Sequence, residues 1–232
     1  MKSLVIIPAF NEEKSLLRTV QDLQENAPDF DYIIVNDCST DHTRQLCAKE
    51  GLKVLNLPVN LGIGGAVQTG YQYALKNGYQ VTVQFDGDGQ HDARHLNEMK
   101  QLLIEHELDM VIGSRFIEKE GFQSSGMRRI GIRYFTNLIH LITGVTITDP
   151  TSGMRMAGRE VIHMFAEEYP KDYPEPESVV SIIKSGRKVE EYPVVMKERE
   201  DGVSSISPVR SVYYMIKVSL AILIELLRRR RI

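Results

Sequence analysis

Short apolar runs alternate with longer stretches in which apolar residues recur every three or four positions, and this alternation fills the first half of the chain. The run at residues 4–7, Leu4-Val5-Ile6-Ile7, is unbroken, as suits a strand covered on both faces. Residues 12–26 then carry Leu16, Leu17, Val20 and Leu23 at helical spacing. The pattern continues with a strand at 32–35 ending in Asn36-Asp37, a helix at 41–51 closed by Gly51, a strand at 53–57 and a helix at 64–77 closed by Gly78. A strand at 81–85, a helix near 93–106 and a strand at 109–112 complete the series. This order predicts an α/β fold: a doubly wound, mostly parallel central sheet with flanking helices. Ligands of such sheets bind beyond the carboxyl ends of the strands, where Pro8-Ala9-Phe10-Asn11-Glu12, Asp37, Asp86 and Asp88 all fall.

From about residue 113 the pattern loosens. Residues 117–126 predict a flexible loop, 127–143 a helix with arginines at its start, 182–195 a further strand or two, and 207–231 a terminal helix. Ser207-Pro208 opens that last helix as a cap followed by proline at the first helical position. Arg210, Lys217, Ala221, Glu225 and Arg228 share one face, and apolar residues between Val212 and Leu227 occupy the others. The stretch is shorter than the ~20 residues of a spanning helix and contains Lys217 and Glu225. It predicts a helix that lies in a membrane interface or packs on a partner, either a second copy or a small membrane protein. The arginines at 228–231 would each add about 1 kcal/mol near anionic lipid. The alternative is a core or dimer helix with a basic tail. The expected division is a catalytic domain at 1–206 and an amphipathic membrane-interface helix at 207–232.

Composition changes this picture little. The 232 residues are 42% hydrophobic and 25% charged with net charge −3, so one large domain with appendages is affordable and no basic excess points to nucleic acid. Cys38 and Cys47 lack partners at metal spacing, which argues against a zinc site or disulfide framework and fits a reducing cytosol. The N-terminal apolar run is too short for a signal peptide and meets Asn11-Glu12-Glu13-Lys14; the expectation is a chain that is not exported.

The most informative stretch is Val81-Thr82-Val83-Gln84-Phe85-Asp86-Gly87-Asp88-Gly89-Gln90-His91. Two carboxylates at i and i+2 just past a strand end can converge on one hard cation, Mg²⁺ or Mn²⁺, which keeps open positions for substrate phosphates. The bland alternative is an acidic surface turn. Asp37 and Asp41 have capping alternatives, with Asp41 fitting that role better; Glu12 could simply be a first-turn acid. His91 reads as a solvated loop histidine. Gly62-Ile63-Gly64-Gly65 matches no phosphate-loop pattern and reads as a tight turn that lets helix and sheet pack closely.

Several of these segments, in order, resemble the inverting family 2 glycosyltransferases. They are Pro8-Ala9-Phe10-Asn11-Glu12-Glu13, Asn36-Asp37-Cys38-Ser39-Thr40-Asp41, Asn60-Leu61-Gly62-Ile63-Gly64-Gly65-Ala66, the Asp86–His91 stretch and Gly113-Ser114-Arg115-Phe116. Asp149-Pro150-Thr151-Ser152-Gly153-Met154-Arg155 and Glu198-Arg199-Glu200-Asp201-Gly202-Val203-Ser204 make the set most similar to the polyprenyl-phosphate (dolichyl-phosphate-type) branch. The resemblance implies a GT-A fold, a nucleotide-diphosphate-sugar donor such as UDP-glucose or UDP-N-acetylglucosamine, a polyprenyl-phosphate acceptor, and work at the cytoplasmic face of an anionic membrane. It implies a donor pocket of Pro8, Ala9, Phe10, Glu12, Asp37, Asp86 and Gly87, and a metal shell of Asp86, Asp88 and Gln90. Arg115, Arg129 and Arg199 would contact phosphates, for which the planar, permanently charged guanidinium is suited. Asp149 would lie near the acceptor, as a general base for a hydroxyl or an orienting group for a phosphate, with Arg155 as a candidate ion-pair partner. Glu175 and Glu177 are rival acids in a stiff loop. A sugar-hydroxyl acceptor, a nucleotidyltransferase and a non-catalytic binding subunit are the competing readings; the nucleotidyltransferase lacks its glycine-rich opening after the first strand.

Overall fold

A computed structural model describes residues 1–123, 126–171, 174–198 and 208–227. Its elements run β1 (Ser3–Ala9), α1 (Leu16–Asn26), β2 (Asp31–Asn36), α2 (Thr43–Lys49), β3 (Val54–Asn56), α3 (Gly62–Lys76) and β4 (Val81–Gln84). A 3-10 turn at Ala93–His95 leads into α4 (Leu96–Glu105), followed by β5 (Met110–Ser114), α5 (Gly126–Thr143), β6 (Arg155–Gly158), α6 (Arg159–Glu167), α7 (Pro174–Lys184), β7 (Val189–Pro193) and α8 (Pro208–Leu227). The seven strands form one sheet in the order β3-β2-β1-β4-β6-β5-β7. β6 alone runs antiparallel, between β4 and β5; the other pairs are parallel. The mostly parallel, doubly wound expectation therefore holds, with one inserted strand that the sequence pattern did not show.

Each central strand feeds two cores because its side chains alternate across the sheet. Leu4 and Ile6 face one core with Val67, Tyr71, Phe135, Phe165 and Ile222, whereas Val5, Ile7 and Ala9 face the other with Leu16, Val20, Phe85, Leu96 and Met99. Both faces of β1 are thus buried, which explains its unbroken apolar run.

The helices cover these faces. In α1 the buried Leu16, Thr19, Val20 and Leu23 form one stripe. Helix α3 approaches the sheet through Gly70, where a Cβ would lie 2.2 Å from Ile6 Cγ2. The earlier Gly62–Gly65 stretch is the first turn of α3 itself, and Gly64 admits the backbone of Pro170 and Lys171, 2.2 and 2.4 Å from where its Cβ would sit. The close contact at Gly64 is to a loop, and Gly70 makes the one to the sheet.

The stiff loop expected at Glu175 and Glu177 is the start of α7, and the strand expected across 182–195 is only β7; residues 182–184 end α7. Helix α8 divides its apolar residues between two surroundings. Val218 and Ile222 are buried in the same core as β1, while Tyr213, Ile216, Leu220, Leu223 and Ile224 stay exposed. Among the described residues no helix is long and apolar enough to cross a membrane.

Candidate active site

The sheet reverses direction of winding at β1, which pairs with β2 on one side and β4 on the other. The loops leaving β1, β2 and β4 diverge there and leave a cavity of about 470 Å³ at the carboxyl edge. It is lined by Pro8, Ala9, Phe10, Glu12, Asp37, Asn60, Gly62, Ile63, Ala66, Asp86, Gly87, Asp88 and Glu175. All seven residues assigned to the donor pocket lie in this wall, and so does Asp88.

Two left-handed residues turn the chain sharply at the ends of the first two strands: Asn11 at φ 60° and Cys38 at φ 58°. Asn11 then ties the loops together, its Oδ1 accepting from the backbone N–H of Thr40 at 2.8 Å. Asp37 is buried, and its Oδ1 accepts the Leu61 N–H at 2.7 Å. Asp41 takes up the capping role, with Oδ1 accepting from Thr43 N–H at 2.9 Å. Glu12 lies ahead of α1, its carbonyl accepting from Leu16 N–H at 3.0 Å and its carboxylate from the Ser15 hydroxyl at 2.8 Å. The first turn of α3 offers no phosphate cradle from its glycines: Gly62 N–H donates to Asn60 Oδ1 and Gly64 N–H to the Lys171 carbonyl.

Asp86 and Asp88 share the cavity wall at the end of β4. Among the described residues no three His, Cys, Asp or Glu side chains gather into a complete metal site. The pair is an open two-carboxylate edge, the donor set a hard cation accepts when a substrate diphosphate and water complete its shell. Gln90 is not brought to this edge. Its side-chain amide donates to the Lys197 carbonyl at 3.3 Å, and its contribution to Asp88 is a backbone N–H to Oδ1 at 3.1 Å. His91 is not solvated either: it is buried, and its Nδ1 accepts the Asp86 N–H at 3.1 Å.

The second cluster lies behind the cavity, at the end of β5. Arg115 and Asp149 form a bidentate pair at 2.6 and 2.7 Å, with the side chains 5% and 0% exposed. Glu191 reinforces it by accepting the Asp149 and Thr148 N–H groups at 2.8 and 2.7 Å, and burial pushes its own carboxyl up. Asp149 is therefore sequestered, and Arg115 is committed to it. Arg155 is not its partner. Fully buried, Arg155 donates to the carbonyls of Pro150, Ser152 and Glu175 and to the Ser178 hydroxyl, bracing β6 against the start of α7. This brace brings Glu175 into the cavity wall, where burial raises its pKa and Arg155 pulls it back. Arg129 is exposed in the first turn of α5. Its neighbour Arg128 keeps an exposed surface, yet desolvation of its guanidinium and the charge of Arg115 push its pKa down. Arg199 lies outside the described residues.

Glu175 and Arg155 were named by the motif reading with the wrong surroundings, since the helix that carries one and the strand that carries the other were missing from the periodicity. Gln84, which touches Asp86, had a signal: it is a polar residue inside an apolar strand run.

Residues 4–165 match the family described as Glycosyl transferase family 2. The chain is 30% identical to a polyprenol monophosphomannose synthase of Mycolicibacterium smegmatis, over 89% of this chain and 81% of that protein. It is 29% identical to a UDP-N-acetylglucosamine–dolichyl-phosphate N-acetylglucosaminyltransferase of Methanococcus voltae, over 71% and 72%. Among solved structures, glucosyl-3-phosphoglycerate synthase of Mycobacterium tuberculosis, in complex with Mn²⁺, UDP and phosphoglyceric acid, superposes with a TM-score of 0.70 at 17% identity. That match covers 97% of this chain and 78% of the other.

Proposed function

The chain belongs to glycosyl transferase family 2, and from that premise we propose that it moves one sugar from a nucleotide-diphosphate sugar to a polyprenyl phosphate, with inversion, at a membrane surface. The charge of the cavity carries this reading. Glu12, Asp37, Asp86, Asp88 and Glu175 line it, and among the described residues of its wall none is basic. Against these described wall residues a diphosphate meets carboxylates and no basic side chain, a balance that a divalent cation entering with it would offset. Bound between Asp86 and Asp88, Mg²⁺ or Mn²⁺ would supply Lewis-acid stabilisation of the departing diphosphate oxygen. Asp37, anchored by the Leu61 N–H, accepts a nucleobase N–H, and the exposed ring of Phe10 covers the base. For the donor we take UDP-glucose or UDP-N-acetylglucosamine, a choice that the relative acting on UDP-N-acetylglucosamine supports.

The sequestered Asp149 supports a phosphate acceptor. A phosphate monoester, with a second pKa of about 6, is already an ionised nucleophile at neutral pH and needs no base to remove a proton. The names of the relatives, which transfer sugars to polyprenol or dolichyl phosphate, support the same acceptor. Arg128 and Arg129, at the open start of α5, are the arginines we assign to that phosphate. One observation favours a second reading: Glu175 is a cavity acid with a raised pKa, the property of a general base for a sugar hydroxyl.

The purified protein, offered UDP- and GDP-sugars with either undecaprenyl phosphate or a free oligosaccharide, decides between the two by the mass of its product. Asp88→Asn should lower turnover by orders of magnitude at an unchanged melting temperature, EDTA should do the same to the wild type, and Mn²⁺ or Mg²⁺ should restore it. Full turnover after metal stripping would sink the cation assignment.

A further inference from the structure

The two cavity aspartates that follow β4 are held in different ways. Asp88 is fixed by its own turn, through the Gln90 N–H. Asp86 is held by side chains, Gln84 from the strand before it and His91 from the loop after it. Gln84, 1% exposed at the end of β4, donates its Nε2 to Asp86 Oδ1 at 3.4 Å. Its Oε1 accepts the Tyr169 hydroxyl at 3.3 Å. That phenol is 4% exposed and lodged against Phe165 and Tyr71, with ring centroids 4.8 and 5.6 Å away.

The order of donors matters. A tyrosine hydroxyl donating to Oε1 turns the amide so that Nε2 faces the carboxylate. The flipped amide would set two acceptor oxygens against each other with no proton between them. On the far side of Asp86, the His91 ring packs edge-on to Phe85 at 5.1 Å and receives the Asp86 N–H on Nδ1. A neutral ring then carries its proton on Nε2, 3.7 Å from Oδ2. Gly153 closes the third side, since a Cβ there would lie 2.6 Å from Oδ2.

From this geometry we infer that Gln84 and Tyr169, with His91 opposite, are positioning residues that set the Asp86 carboxylate toward the cavity before any cation arrives. The inference rests on the reading that Asp86 and Asp88 hold a divalent cation. Two carboxylates facing one pocket repel, and an unrestrained Asp86 would turn away; a donor on one oxygen and crowding on the other remove that freedom. The same geometry explains a polar side chain in a buried strand position. A buried amide needs partners, and those of Gln84 are the aspartate and a tyrosine 85 residues distant.

The test is Mn²⁺ affinity of the full chain, read from the electron paramagnetic resonance signal of free Mn²⁺, for wild type, Tyr169→Phe, Gln84→Met and Asp88→Asn. Gln84→Met should weaken Mn²⁺ binding about 10-fold or more, the range set by outer-shell partners of metal ligands, and Tyr169→Phe, one bond further out, less but measurably. Without metal, Tyr169→Phe should melt within about 4 °C of wild type, which separates positioning from folding. Should Gln84→Met fail to fold, Tyr169→Phe decides alone. Wild-type Mn²⁺ affinity in the Gln84 and Tyr169 variants, beside weakened binding in Asp88→Asn, overturns the positioning role and leaves the cation site standing. Wild-type affinity in Asp88→Asn removes the cation site and this inference with it.

Discussion

Arg115 and Asp149 show how burial reassigns a residue. By motif each would touch substrate; in the fold they neutralise each other at the end of β5, with Glu191 gripping the loop from below. Breaking a buried pair from one side leaves an uncompensated charge, which costs about 3–5 kcal/mol. Asp149→Asn should therefore lower the unfolding free energy by about that much in denaturant titration. If it instead left stability intact and removed activity together with a base-dependent limb of the pH–rate profile, Asp149 would return to the chemistry. Asp37, Asp86 and Asp88 were legible as cavity acids because strand ends carry them. Pairings such as Arg115 with Asp149, or Arg155 with the Glu175 carbonyl, were not, because they join positions 34 and 20 residues apart that β6 and α7 bring together.

The elements of the first half were legible because each has a single period: unbroken runs for strands buried on both faces, a three-to-four repeat for helices. Their boundaries moved by a few residues where capping intervened. Asp92 is such a cap. It precedes the 3-10 turn that starts α4, accepts the Arg94 N–H, and pairs with the Arg94 guanidinium at 2.6 Å. That guanidinium, ahead of the opposing cost of burial, holds the Asp92 carboxyl at about 2. An unfolded aspartate titrates near ~3.9. The stabilisation is thus complete above roughly pH 4–5 and is lost as pH falls toward 2. Thermal melts between pH 2 and 7 should show Asp92→Asn less stable than wild type at neutral pH, with the gap closing below about pH 4; a gap constant with pH would place the effect of the substitution elsewhere. β6 and α7 escaped the pattern for a related reason. β6 is four residues long, and α7 opens on two prolines and two acids, so neither shows a full period.

At the scale of the molecule, α5 and α8 lie side by side, joined by the Tyr134 hydroxyl and Ser219 at 2.9 Å and by Phe135 against Tyr214. Both leave apolar side chains outside: Ile130, Tyr134 and the 82% exposed Leu141 on α5, and Tyr213, Ile216, Leu220, Leu223 and Ile224 on α8. Arg128, Arg129 and Arg133 border this surface and are exposed. We propose that it rests in a membrane interface with the arginines at the headgroups, which places the start of α5 where a lipid phosphate would arrive. Helix α8 shares a core with β1 through Val218 and Ile222, so we take the division at 206/207 as one of roles. Leu220→Asp with Ile224→Asp should release the protein from vesicles containing anionic lipid and slow transfer to a long-chain acceptor. A short water-soluble acceptor should be used as before. Vesicle binding equal to wild type would leave this face to a protein partner.

Residue order alone was enough for the α/β class and for the carboxylates that line the cavity at the carboxyl edge, because strand periodicity and the residues just past each strand are local properties. The same order proposed α8 as a surface helix without showing that one stripe enters the core. Which acid is open and which is locked, that Gln90 turns away while Gln84 and Tyr169 brace Asp86, and that the glycines of α3 admit a loop and a strand were decided by tertiary contacts. Hydrogen-bond partners as far apart as Tyr169 and Gln84, 85 residues, or Gln90 and Lys197, 107 residues, compete for the same few donors. No local pattern records which of them wins.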